Sequence, residues 1–203
     1  KIQSAFFILF LFLLGSFLIT ISLPAKGRIL SIYLALLVLP IIIIYPSAKR
    51  WFKFPQIILS ICWGFSVLIP WAAHEGNLIS PVLFFCWMAT IFWTFGFDTI
   101  YALADKKYDK EIGINSSAIN LGSYTKSIIQ ICYFITSLCL AICSMLNQLN
   151  FIFWPFLIIS SILMQKDVLR IYKHQDFSIN KIGSHFRNQV IYGSLILIGI
   201  TIS

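Results

Sequence analysis

The chain has 203 residues, of which 59% are hydrophobic and only 11% charged, with a mean hydropathy of +0.89 and a formal net charge of +8. That balance is too apolar for a water-soluble domain of this length, so lipid must be the solvent for most of its surface. Nor does the positive charge indicate nucleic acid, because the basic residues fall in the connections between apolar runs, where membrane orientation is set.

Apolar runs recur at 4–23, 29–45, 55–73, 79–99, 127–146, 149–165 and 187–203. Each is near the roughly 20 residues that a helix needs to cross a hydrocarbon layer. They lack the alternation of barrel strands, and in lipid only helices or closed barrels satisfy the backbone. The pattern therefore predicts an all-α transmembrane bundle of about seven spans, forming one domain over 1–203. The first run is longer than a signal-peptide core and shows no cleavage site. The chain opens on Lys1 without a methionine, as a protein entered in mid-sequence would. Pro40, Pro70 and Pro155 fall within or near the ends of spans, where neighbouring helices tolerate them. Cys62, Cys86, Cys132, Cys139 and Cys143 all lie in apolar runs without CxxC spacing and are read as packing residues.

Alternate connections should differ in positive charge if the spans are real, and they do. Thirteen of the 15 basic residues fall on one side: Lys1, the Lys49-Arg50-Lys53 group, Lys106 to Lys126, and Lys166 to Arg187. Only Lys26 and Arg28 fall on the other, so the first side is expected to be cytoplasmic. Both long connections, 100–126 and 166–186, lie on it, and function is expected to face that way.

Seven acidic residues exist in the chain, and Asp98, Asp105, Asp109 and Glu111 are packed into one segment of it. At about 100° per residue the three aspartates lie within roughly 40° of one another on a helix continuing the fourth span out of the membrane. Carboxylates spaced this way suit Mg²⁺, which takes one or two of them and fills its shell with water and phosphate oxygens. A metal-bound diphosphate is the natural ligand. The bland alternative is a solvated loop whose aspartates pair with Lys106, Lys107 and Lys110. An acid at the end of an apolar run, as Asp98 is, argues instead for a polar cavity or a cation beside it. A second cluster, Tyr45-Pro46-Ser47-Ala48-Lys49-Arg50, lies on a short connection of the same side, followed by Pro55 and Gln56. Its cations could neutralise a departing diphosphate or could serve as an orientation signal.

Together the two segments, the second running Asp98-Thr-Ile-Tyr101-Ala102-Leu-Ala-Asp105-Lys-Lys-Tyr-Asp109 and on through Gly113, Ser116 and Ala118, resemble the YPxxKR loop and second aspartate-rich motif of the UbiA superfamily of intramembrane prenyltransferases. The DTxYAxxDxxxDxxxGxxSxA form most resembles the 4-hydroxybenzoate polyprenyltransferases, and the resemblance covers essentially the whole chain. It implies a nine-helix bundle in a bacterial inner membrane or an organelle membrane, moving a polyprenyl group from polyprenyl diphosphate to the ring of 4-hydroxybenzoate in quinone biosynthesis. It implies Mg²⁺ held by Asp105 and Asp109, and diphosphate held by Lys49, Arg50 and Tyr45. Asp98, Tyr101 and Arg50 would then act on the reacting groups. The family's earlier NDxxDxxxD motif is absent, so the resemblance implies that the first two helices and half of the metal cradle are missing, with little or no activity in the chain as it stands.

Two readings of other classes stand beside this one. A transporter would also carry intramembrane acids, but these cluster at one face without a charged path across the midplane or paired broken helices. A catalytically dead fragment would follow from the missing motif. His74-Glu75 falls on the opposite side as a solvated turn, while His174 and His185 sit in a basic loop without a partner at ligand spacing. The aromatics of the fourth span, among them Trp93 and Phe97, could line a prenyl channel or face lipid.

Overall fold

Among the described residues seven long helices account for nearly all of the fold, and their order follows the hydropathy. The computed structural model describes residues 2–174 and 177–203, His174 through its backbone alone. Lys1 and the His174 side chain therefore lie outside the described residues. The helices are α1 (Ile2–Ser22), α2 (Ala25–Ala48), α3 (Pro55–Glu75), α4 (Pro81–Glu111), the one-turn α5 (Ser117–Asn120), α6 (Thr125–Leu146), α7 (Phe153–His174) and α8 (Ile179–Thr201). Among the described residues there is no strand. The segments α1 to α4 and Gly122–Leu146 are long and apolar enough to cross a membrane. Helices α7 and α8 have the length, but Lys166, Asp167 and Arg170 in one and Lys181 and Arg187 in the other dilute their apolar character.

Helices stop where their sequences dictate. Ser80 caps α4, accepting a hydrogen bond from the Leu83 N–H, and Pro81 supplies a first-turn φ at no cost in hydrogen bonds. At about 1.5 Å per residue the 31 residues of α4 extend about 46 Å, well beyond a hydrocarbon core of roughly 30 Å. Its C-terminal third must leave the lipid, and that third carries Asp105, Asp109 and Glu111. Two expected connections are shorter than anticipated. Tyr45 to Ala48 form the last turn of α2 rather than a loop, because Pro46 removes only one intrahelical hydrogen bond. The 166–186 connection is helical over most of its length, since polar helix formers such as Lys166 and Gln165 let α7 run on past the membrane.

Helix α4 is the hub, packing against α3, α6 and α8, while α2 packs on α3 and α7 on α8. Without a hydrophobic drive between helices in lipid, close approach at small residues carries the association. The backbone of Gly27 lies against the carbonyls of Ala72 and Ala73, and Gly96 seats the fully buried ring of Tyr133. The core sits among α4, α6, α7 and α8 around Ile100, Ile129, Tyr133, Met164 and Val168. Helix α1 buries no residue and touches α2 alone to any extent, so its apolar surface is left to lipid or to other protein.

Candidate active site

The basic end of the bundle gathers both motifs. Beyond Glu111 the chain reverses at Gly113, whose φ of 71° is one that a side chain would strain, and the Ile114 N–H returns to the Asp109 carbonyl at 2.9 Å. This turn lays residues 114–120 across the start of α3. The Asn115 N–H donates to the Lys49 carbonyl at 2.6 Å, Asn120 Nδ2 donates to the Lys53 carbonyl at 2.7 Å, and the buried Gln56 side chain accepts from the Ser117 N–H at 2.8 Å. Gln56, Asn115 and Ser117 are thus structural ties between the two motifs.

Side chains meet across this junction. Lys49 Nζ lies 3.4 Å from Asp109 Oδ2, with the carboxylate buried and the ammonium partly open to solvent. Asp98 lies deeper along α4, within electrostatic reach of Lys49, and Tyr45 in turn feels the charge of Asp98. Asp105 and Arg50 make no side-chain hydrogen bond or ion pair among the described residues, Arg50 being exposed and Asp105 half-buried. A cavity of about 390 Å³ opens beside Asp98 and Tyr101 against Gly183 and Phe186 of α8. Next to it, sharing Phe186, a second of about 250 Å³ runs between α4 and α8, lined mainly by Trp93, Phe97, Val190 and Gly193. Six of the seven residues singled out by motif therefore share one end of the bundle with Tyr101, which is half-exposed at the cavity mouth.

The donor set suits a divalent ion held only in part by protein. Asp105 and Asp109 are hard oxygen donors one turn apart at the aqueous end of α4, yet among the described residues no three His, Cys, Asp or Glu side chains cluster closely enough to hold an ion unaided. An ion there must complete its shell with water and phosphate oxygens, as Mg²⁺ commonly does.

The sequence matches the model of the UbiA prenyltransferase family over residues 1–188. The chain belongs to the UbiA prenyltransferase family. Among the UbiA-type proteins to which it is similar are a 4-hydroxybenzoate solanesyltransferase of Synechocystis sp., 45% identical over 64% of this chain and 44% of that protein, and a 4-hydroxybenzoate octaprenyltransferase of Francisella tularensis subsp. novicida, 36% identical over 65% of this chain and 46% of that one. A 4-hydroxybenzoate octaprenyltransferase of Blochmanniella floridana is 30% identical over the whole of this chain and 69% of its own length. Aligned to the first two, the chain spans about half the length of the curated relatives it matches. No solved structure matches it. Family membership and the apolar helices make this UbiA-type chain an integral membrane protein.

A second polar cluster in this UbiA-type bundle escaped the sequence reading. His185, expected in a loop without partners, is buried in α8, with its Nδ1 2.6 Å from Oδ2 of the equally buried Asp167 on α7. Its Nε2 lies 3.1 Å from the Tyr133 hydroxyl on α6, and Asn188 Nδ2 donates to the other Asp167 oxygen at 3.2 Å. Gln189 reaches the same imidazole, while its Oε1 accepts from Trp93 Nε1 at 2.7 Å. The available signal was His185, Asn188, Gln189 and Tyr192 recurring at helical spacing along an apolar span.

Proposed function

We propose that the protein transfers a polyprenyl group from polyprenyl diphosphate to a ring carbon of 4-hydroxybenzoate, as a step of ubiquinone- or plastoquinone-type quinone biosynthesis, with Mg²⁺ as cofactor and the active end facing the cytoplasm. The supporting observation is the junction at which Lys49, from the YPSAKR segment, meets Asp109 of the aspartate segment, with Asp105 and Arg50 left unengaged there among the described residues. The names of the similar proteins support 4-hydroxybenzoate as the acceptor and a polyprenyl group as what is transferred.

Asp105 and Asp109 would hold the metal, which would supply positive charge to the departing diphosphate as the allylic C–O bond breaks. The diphosphate departs with the bonding electron pair, and Lys49 and Arg50 stabilise the charge it gains. The ring carbon of 4-hydroxybenzoate then forms the new C–C bond and loses its proton to restore aromaticity. Asp98 lines the cavity with Tyr101 at its mouth, within electrostatic reach of both Lys49 and Tyr45, and these side chains orient the reacting end. Polarity sets the direction of the substrate: the diphosphate stays with the charged groups at the aqueous end, and the prenyl chain runs inward along the apolar cavity between α4 and α8.

Membranes containing the full-length protein test this directly with prenyl diphosphate and 4-hydroxybenzoate. Prenylated product is expected with Mg²⁺ and none with a chelator. Asp105→Asn should lower kcat/KM by about 100-fold or more, some 3 kcal/mol of transition-state stabilisation. An unaltered protein that makes no product refutes the acceptor, and an unimpaired Asp105→Asn refutes the metal site.

A further inference from the structure

Helix α8 has two working faces. Gly183, Phe186, Val190 and Gly193 look toward α4 and form one wall of the cavities beside Asp98. About half a turn away, His185 and Asn188 look toward Asp167, where a polar cleft of about 310 Å³ opens between α7 and α8. Gln189 sits between the faces: it contacts His185 on one side, and on the other its amide oxygen takes the Trp93 N–H while it lines the groove. A continuous set of hydrogen bonds thus joins α7, α8 and α4, and Tyr133 adds α6 through His185.

Stability is a weak reason for such an arrangement. Asp167 is 5% exposed and His185 2%, and taking ionisable groups out of water costs several kcal/mol each even before a partner repays it. Apolar side chains of similar size would fill the same space without that desolvation cost. What the polar version adds is direction, because a hydrogen bond fixes angle where apolar contact tolerates rotation. Here the fixed quantity is the rotation of α8 that presents Phe186 and Gln189 to the groove.

We propose that Asp167 and His185 are positioning residues: they hold Gln189 against Trp93 and so shape the wall along which the prenyl chain lies. This rests on the prenyl-transfer reading above. Neither residue touches the substrate, and their effect passes through Gln189 and Phe186.

The test uses the full-length protein in nanodiscs, with steady-state kinetics on both substrates. Asp167→Asn, His185→Asn and Gln189→Met should each raise KM for prenyl diphosphate by about fivefold or more, with kcat and KM for 4-hydroxybenzoate held within about twofold, the pattern of lost uniform binding. Adding His185→Asn to Gln189→Met should change KM by less than about twofold, since both act through one contact. A merely structural role would lower the yield of folded protein and kcat without that split or that non-additivity, and either result overturns the proposal. Gln189→Met removes only the end of the network, so it decides the matter even where His185→Asn does not fold. Product from the unaltered protein with an unchanged KM in Gln189→Met overturns this proposal alone, whereas no product from the unaltered protein overturns it together with the prenyl-transfer reading.

Discussion

Lys49 and Asp109 are unequal partners, and the inequality predicts an order of stabilities. The ammonium side chain is 30% exposed and the carboxylate 6%, at a separation of 3.4 Å. Two unit charges at that distance attract by about 5 kcal/mol at an effective dielectric of about 20, most of which desolvation offsets. The net worth of the pair is therefore small, but the two ways of breaking it differ. Lys49→Met strands a buried carboxylate and should cost about 3 kcal/mol. Asp109→Asn leaves a lysine that can extend into water, and should cost about 1 kcal/mol or less. The double variant, which strands neither charge, should be more stable than Lys49→Met alone. Equilibrium unfolding of purified protein in mixed micelles, titrated with a denaturing detergent, measures all three. A double variant as unstable as Lys49→Met, or Asp109→Asn as the most damaging change, would refute the claim that Lys49 compensates the buried Asp109 carboxylate.

Two glycines should respond oppositely in the same assay. A Cβ on Gly96 would stand 2.7 Å from the Tyr133 ring edge, and that ring is fully buried, so Gly96→Ala should destabilise by about 1–3 kcal/mol as overpacking does. On Gly193 the added carbon would meet Trp93 at 3.5 Å, an ordinary contact, so Gly193→Ala should leave stability within about 0.5 kcal/mol.

The positions of the membrane helices were legible because lipid imposes one length and one backbone solution on every span. The meeting of the motifs was legible in part. Charge alternation brought Lys49 and Asp109 to the same end, but their contact depends on Gly113 reversing the chain and on Gln56 and Asn120 tying the two segments, and no periodicity encodes that. His185 was missed for the opposite reason. Its partner Asp167 lies 18 residues away on another helix, and a segment rich in Lys and Arg reads as solvated until helix packing turns one face inward. Where α7 and α8 cease to be apolar, hydropathy ends a span although the helix continues, so the buried polar cluster fell into what composition treated as a loop.

Asp105 and Asp109 are equivalent in the motif and different in the protein. A spacing of four puts both on one face of α4, yet Asp109 is buried and already neutralised by Lys49, while Asp105 is half-exposed and without a side-chain partner among the described residues. A dication arriving at this end would meet a carboxylate at Asp105 that no described side chain engages, but would have to share Asp109 with an ammonium that it repels. An anionic ligand resolves that conflict. A diphosphate brings charge enough for both cations, letting Lys49 turn from Asp109 toward the phosphate oxygens while the carboxylate turns to the metal. With metal and diphosphate placed as proposed, the Lys49–Asp109 pair would be a resting contact that the two ligands exchange together, so each should bind better in the presence of the other, and the cooperativity should vanish in Lys49→Met.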